Sequence, residues 1–439
     1  MSASPQPDNR GLRCWPPVPW ETLGRVLLIV SLVAACPVAL NRVISARGGT
    51  DVPHFFEAGR YVLEHRDIQP KPFLKYYWPS LDVAWAGLAW MPLPVVAVVW
   101  YAMACCSWIG LLITLRRLLA PYAPSPRARH AALAAGLLML PLALDHLCIG
   151  AFHVLMIWLM VAGLARVSRG HSWSGGVLLG LGVWIKLLPL LGAGYLVLKR
   201  KWLATGVAIA CAVTVDLALT LPVFGPQRTW ELHVAWWQSQ ARGATERTLT
   251  DNAYIGEDRI TNQSPAVALR RVLTHMGWDA FPSRNSVALT NLSGPQLRMV
   301  YTGLVALLGL GILSCCRRPG RSLDASQWAS EIALIALGTL WFSPVAWSYH
   351  FTAATPALAV IVARRAGQPR LVGTVVVLWV AALASFAWPL ARALGAMLWT
   401  TLLVGAILVR PQGRRGSLAL TENPSGEADG TGPLLRRVA

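Results

Sequence analysis

An aspartate follows two glycines and a threonine in the run Gly48, Gly49, Thr50, Asp51, and its carboxyl is a group that takes a proton from an incoming hydroxyl. Just after it, Phe55, Phe56, Val62 and Leu63 fall on one side of a helical projection, with Glu57, Arg60 and Glu64 on the other. That pattern predicts a short amphipathic helix on a membrane surface with Asp51 at its amino end. Asp51 is then a cap for free backbone donors, a general base at the mouth of a bundle, or both. Tyr76, Tyr77, Trp78 and Pro79 stand just before a long apolar run, where aromatic rings either join an interfacial belt or stack on a sugar. Lys186 interrupts the apolar stretch Trp184, Ile185, Lys186, Leu187, Leu188, Pro189; it either snorkels to the surface or offers a point charge to a phosphate. Asn262, Gln263, Ser264 and Pro265 precede Arg270 and Arg271, a pair suited to lipid head groups or to a phosphorylated ligand. The turn Ser343, Pro344, Val345, Ala346, Trp347, Ser348, Tyr349, His350 brings a Trp and a His close together, and the His is either a structural core residue or a ligand contact. Asp145, His146 and His153 are further polar residues at a predicted turn, with no role assigned.

These side chains need a scaffold, and composition says which. The chain has 439 residues with 39 Lys and Arg against 20 Asp and Glu, a net charge of +19. Charged residues make up only 13% while apolar ones reach 55%, which excludes a disordered chain and, with long near-uncharged runs, indicates an integral membrane protein. Apolar runs predict twelve spans, near 24–45, 82–115, 130–148, 150–167, 173–185, 187–198, 202–222, 297–316, 327–345, 349–363, 371–388 and 391–409. The second is overlong and holds Pro92 and Pro94, so a short helix followed by a full span is expected; the fifth and sixth are short, as tilted or broken helices would be. The fold class is therefore all-α, a polytopic bundle of about twelve spans with helices in its external loops. Residues 1–23 form an amino-terminal segment, 24–410 the bundle with external loops 46–80 and 224–296, and 411–439 a disordered polar tail.

The basic residues set the orientation. Arg116, Arg117, Arg127 and Arg129; Arg166 and Arg169; Lys199, Arg200 and Lys201; Arg317, Arg318 and Arg321; and Arg364, Arg365 and Arg370 lie in five alternate short loops nearly free of acid. By the positive-inside rule these loops and both termini are cytoplasmic, and the excess charge needs no nucleic-acid partner. Asp51, Lys186, the segment 224–296 and the Trp347–His350 turn then face outward at the cell membrane. Ionisable residues are costly at membrane depth, so their gathering on one side indicates a water-accessible site open to the outside. The eight cysteines lie mostly within apolar runs and in no ligand spacing, which argues against a disulfide frame or a zinc site.

In that order, the Asp51 loop, Tyr77-Trp78-Pro79, the bend from Ile185 to Pro189, Asn262-Gln263-Ser264 with Arg271 downstream, and the Ser343-Pro344 turn running to Trp347 and His350 resemble the GT-C glycosyltransferases that use polyprenyl-phosphate sugars. Within that group the closest likeness is to glycosyltransferase family 87, the polyprenol-phosphate-mannose-dependent mannosyltransferases. One departure stands out: where the family commonly has Gly-Gln-x-Asn, this chain has Gly150, Ala151, Phe152, His153. The resemblance implies transfer of a hexose, mannose first, from a polyprenyl-phosphate donor to a glycolipid or lipid-linked acceptor among the membrane lipids. It implies Asp51 as base, Lys186, His350 and Arg271 at the donor phosphate, and Tyr76, Tyr77, Asn262, Gln263 and Trp347 around sugar and acceptor. A phosphate leaving group needs little protonation, so one carboxylate and one cation suffice, with inversion at the anomeric carbon and no metal or separate cofactor. A different polyprenyl-phosphate sugar is the nearer alternative. A membrane transporter is the alternative of another class, against which stand the lack of an internal repeat and the size of the two large external loops.

Overall fold

The computed structural model describes residues 20–45, 50–68, 77–238, 249, 261–274 and 287–410. The amino-terminal segment before Trp20, the tail from 411, Tyr76 and much of the segments 46–80 and 224–296 lie outside the described residues. Among the described residues there is no strand, and helices follow one another from end to end: α1 Trp20–Ile44, α2 Asp51–His65, α3 Pro79–Leu88, α4 Leu93–Leu119, α5 Ser125–Leu138, α6 Leu140–Ile149, α7 His153–Ser168, α8 Ser172–Ile185, α9 Leu190–Leu198, α10 Trp202–Trp237, α11 Pro265–Leu273, α12 Gly294–Cys316, α13 Ala325–Trp341, α14 Thr355–Arg364, α15 Pro369–Ala384, α16 Pro389–Ala393 and α17 Ala396–Val409.

Five of these are long and apolar enough to cross a bilayer: α1, α4, α10, α12 and a unit over Pro369–Ala387; a sixth arises if α5 and α6, bent by 56°, form one broken span. The remaining apolar helices α7, α8 and α17 have 14 to 16 residues, so length and composition do not by themselves yield twelve crossings. Large apolar side chains such as Leu27, Val33, Leu307, Leu310 and Val377 lie exposed on the long helices, the surface expected of elements that face lipid. The overlong second run does divide as its prolines require, into α3 and α4 with Pro92 at the junction. The first part of the segment 224–296 differs from a plain loop. Helix α10 continues beyond residue 222 and turns at Gly225 (φ 72°) beside Pro226, so that Asp216 and His233 are hydrogen-bonded although a straight helix would part them by about 25 Å.

The two ends of the bundle are chemically different. Helix α9 begins after the Lys186 bend and ends at Lys199; α13 begins after Asp324 and leads, roughly 25 Å further on, to the turn that carries His350. Lys199 is not the exposed loop residue that its position in a basic loop suggests. It is 2% exposed, with Nζ 2.6 Å from Glu331 Oε2 and donating to the carbonyls of Cys316 (2.6 Å) and Arg318 (2.8 Å). The Tyr195 hydroxyl donates to the same carboxylate oxygen at 2.8 Å, so each buried charge has its partners.

At the other end, α6 stops at Gly150, whose φ of 77° is left-handed and whose absent Cβ would lie 2.5 Å from Val52 Cγ2. This contact seats the first turn of α2 against the α6–α7 junction. Two outcomes follow from the packing. Gly150→Val forces α2 away and lowers stability by about 1–3 kcal/mol, seen as a fall in Tm, whereas Gly206→Ala, in open space, leaves Tm unchanged. Lys199→Met strands a buried carboxylate and destabilises by about 3–5 kcal/mol, and adding Glu331→Leu recovers most of the loss in a double-mutant cycle.

Candidate active site

The segment just before α3 is pinned to the end of α8 by two indoles. Trp78 Nε1 donates to the Val183 carbonyl at 3.1 Å, and Trp184 Nε1 donates to Ser80 Oγ at 2.8 Å. Trp78 also stacks on Trp236, centroids 4.5 Å apart, so it serves as a structural tie to the far part of α10. Helix α8 ends at Ile185; Lys186 takes an extended conformation (φ −157°, ψ 144°), and Pro189 caps the start of α9. The result sets Lys186 Nζ 5.8 Å from the centre of the Tyr77 ring.

Asp51 opens α2 as its first residue, while Thr50 is the N-cap and makes no side-chain capping bond, so Asp51 does not occupy the cap position expected for it. Its carboxyl is 7% exposed and lies close enough to Lys186, Tyr77 and Tyr349 for its charge to act on all three. Burial pushes its pKa up from 3.8 to about 7, with the Lys186 ammonium pulling the other way. Phe55 of α2 packs edge-on against Tyr77 (5.2 Å) and Phe152 (5.0 Å), which walls the carboxyl with aromatic rings. On the outer face of α2, Glu57 and Arg60 are exposed as expected, but so is Leu63, because Ala58, Gly59 and Val62 take the packed stripe.

The late turn joins this end. Ser348 Oγ donates to Asp145 Oδ2, tying the turn to α6, and His153 Nε2 donates to the His350 carbonyl at 2.8 Å. The two rings lie 4.5 Å apart and Tyr349 stacks on His350 at 4.4 Å. His350 Nδ1 accepts from the Trp347 backbone N–H at 3.1 Å, so the neutral ring carries its proton on Nε2 and offers a hydrogen-bond donor rather than a fixed cation. His350 Nε2 and His153 Nδ1 are buried without a hydrogen-bond partner among the described residues, an unmatched donor and acceptor of the kind that ligand sites retain.

Asn262, Gln263 and Arg271 stand one step back, bracing that turn. Asn262 Oδ1 accepts from the backbone N–H groups of Ser264 (3.1 Å) and Ala346 (3.0 Å), the Gln263 N–H donates to the Ala346 carbonyl at 2.8 Å, and Arg271 Nη2 donates to the Asn262 carbonyl at 2.7 Å. Gln263 Nε2 donates in addition to the Arg392 carbonyl at 2.6 Å, and desolvation draws the Arg271 pKa down to about 9. The Asn262 amide nitrogen has no hydrogen-bond partner among the described residues. Trp347 is half-buried beside His350.

The structure thus brings Asp51, Tyr77, Lys186 and His350 into one neighbourhood, with Trp347 adjoining and Asn262, Gln263 and Arg271 behind it. Two residues were absent from the sequence-based candidates. Tyr349 lay inside a quoted run without a role, and Asp82, a buried carboxyl on α3, is the lone acid in an apolar run, a signal that could have singled it out. From the Lys186 bend an apolar groove of about 510 Å³ runs along α9, between α12 and α13, lined by Leu187, Leu188, Leu191, Ile312, Leu313 and Phe342.

A family model for glycosyltransferase family 87 matches residues 77–318. Among curated proteins, the chain is 29% identical over 216 residues to a polyprenol-phosphate-mannose-dependent alpha-(1-2)-phosphatidylinositol mannoside mannosyltransferase of Mycolicibacterium smegmatis, covering 48% of this chain and 41% of that protein. It is 25% identical over 352 residues, 76% of this chain, to a phosphatidylinositol pentamannoside mannosyltransferase of Mycobacterium tuberculosis with the same donor in its name, spanning 71% of that protein. The corresponding Mycolicibacterium smegmatis protein is 26% identical over 347 residues, 75% of this chain and 73% of its own length. The chain therefore spans less than half of the first relative and about seven tenths of the other two. With the family match extending over more than half of its residues, the chain belongs to glycosyltransferase family 87.

Proposed function

We propose that the protein transfers a hexose, mannose in the first instance, from a polyprenyl-phosphate donor to a glycolipid or other lipid-linked acceptor on the outer face of the cell membrane. The observation that carries the reading is the juxtaposition of the buried Asp51 carboxyl with Lys186, at the head of an apolar groove able to take a polyprenyl tail. The names of the relatives, with polyprenol-phosphate-mannose as donor and phosphatidylinositol mannosides as acceptors, support the choice of sugar and of acceptor class. They leave the transporter alternative and other polyprenyl-phosphate sugars without an observation in their favour. In this reading the chain crosses the bilayer about twelve times, with short helices completing spans in broken pairs, and the basic loops lie in the cytoplasm.

The lipid donor enters sideways along the groove, and its phosphate comes to rest on Lys186, with the His350 Nε2–H as a further donor. Arg271 acts through the Asn262 carbonyl that it holds. Tyr77 and Trp347 present rings to the sugar, and the free Asn262 amide and Gln263 lie behind them. Asp51 removes the proton from the acceptor hydroxyl as it attacks the anomeric carbon. The bond to the phosphate oxygen breaks, the electron pair leaves with the lipid phosphate, and configuration inverts. The donor is the activated sugar itself, and no separate cofactor takes part.

The base assignment makes Asp51→Asn lower transfer about 10²–10⁴-fold in membranes given a radiolabelled polyprenyl-phosphate hexose and an extracted lipid acceptor, while Asp82→Asn retains most activity. The opposite ranking assigns the base to Asp82. Asp51 must be ionised and Lys186 protonated to act, so with their pKa values near 7 and 8 the rate falls as pH drops through about 7 and falls again as pH rises through about 8. Lys186 holds that pKa down, so Lys186→Met moves the acid limb of kcat/KM to higher pH besides weakening donor binding; an unmoved limb contradicts the pairing.

A further inference from the structure

At the basic end of the bundle, remote from Asp51, the closing turns of α12, α14 and α17 and the first turns of α13 enclose a cavity of about 310 Å³. Four guanidinium-bearing residues line it, Arg317, Arg318, Arg364 and Arg410, together with Ser330 and the carboxylate of Glu331. That carboxylate is already paired with Lys199 at 2.6 Å, and Arg317, Arg318 and Arg410 form no ion pair among the described residues. The cavity therefore holds a strong uncompensated positive charge.

The backbone that carries these arginines is fixed. Lys199 holds the carbonyls of Cys316 and Arg318 at 2.6 and 2.8 Å, Arg365 Nη2 donates to the Arg410 carbonyl at 2.6 Å, and Arg364 Nη1 donates to Ser330 Oγ at 2.5 Å. Arg317, Arg318 and Arg410 remain exposed on these anchored segments. Leu334, Leu408 and Val409 form an apolar wall beside the charges, and α12, one of the long apolar helices, leads into it. Charge above and apolar surface below suit an amphiphile whose phosphate meets the guanidinium forks while its chains follow the helices.

We propose that this cavity is a second lipid site, which binds the phosphate head group of an anionic phospholipid from the leaflet on the side of the basic loops. It is separate from the transfer site, because the length of α13 lies between them. The test follows thermal unfolding of the full chain in mixed micelles on titration with phosphatidylglycerol, with phosphatidylcholine and inorganic phosphate as parallel probes. Phosphatidylglycerol should raise Tm saturably and phosphatidylcholine should not. The variant R317Q/R318Q/R410Q, altered only at exposed side chains, should weaken the apparent affinity at least tenfold, and R317K/R318K/R410K should fall between it and the parent. A control variant in another exposed basic loop, R116Q/R117Q/R127Q, should respond like the parent. A parent-like response in R317Q/R318Q/R410Q, an equal loss in the control, or an equal shift with phosphatidylcholine would each overturn the site. Reproduction of the full effect by inorganic phosphate would overturn the lipid as its source.

Discussion

The Asp51 end of the bundle is organised by one electrostatic constraint: a carboxylate and an ammonium are both drawn into an apolar setting, where each is tolerable because of the other. Burial raises the pKa of Asp51 and the Lys186 charge offsets part of that rise, which leaves a group that changes protonation near neutral pH. A carboxyl so poised suits proton removal better than an exposed one, which would be a weak base, or an isolated buried one, which would stay protonated. The helices around it serve this placement. The break at Lys186, the left-handed end of α6 at Gly150 and the indole ties from Trp78 and Trp184 set the positions of the two groups.

The opposite end solves a similar problem differently. Lys199 and Glu331 are also buried and opposite in charge, but they sit 2.6 Å apart with Tyr195 and two carbonyls completing their hydrogen bonds. A pair held so closely, with the three protons of the ammonium all directed at oxygen atoms, works as a structural joint. At the Asp51 end, by contrast, His350 Nε2, His153 Nδ1 and Asn262 Nδ2 have none of their hydrogen bonds made among the described residues. The paired groups of Lys199 and Glu331 make a fastening, and the open hydrogen-bonding atoms around His350 make a site.

How much of this was legible in the sequence depends on the kind of signal. Lys186 stands out as a charge in an apolar run, Asp51 as the acid at the start of an amphipathic helix and His350 as the imidazole of a polar turn, so all three could be selected from the chain alone, and the order of motifs around them pointed to the family. The prolines at 92 and 94 likewise announced the division of the second run. Asn262 and Gln263 read as ligand contacts because polar residues beside an arginine pair look alike whether they face a sugar or a turn. Only the partner, Ala346, 84 residues away, reveals that they brace the late turn. Lys199 read as a loop cation for the same reason, since its partner Glu331 lies far along the chain. Span number was the least legible feature, because helices of 14 to 16 residues broken at turns carry the composition of crossings without their length.

If a donor phosphate and the Asp51 carboxyl share one hollow, a structure of the protein with a bound polyprenyl phosphate will show it. The account places the phosphate oxygens within about 4 Å of Lys186 Nζ, with the lipid tail in the groove along α9 and the Asp51 carboxyl facing the side from which an acceptor would approach. A phosphate seated instead among Arg317, Arg318 and Arg410, or anywhere from which Asp51 is screened by protein, contradicts it.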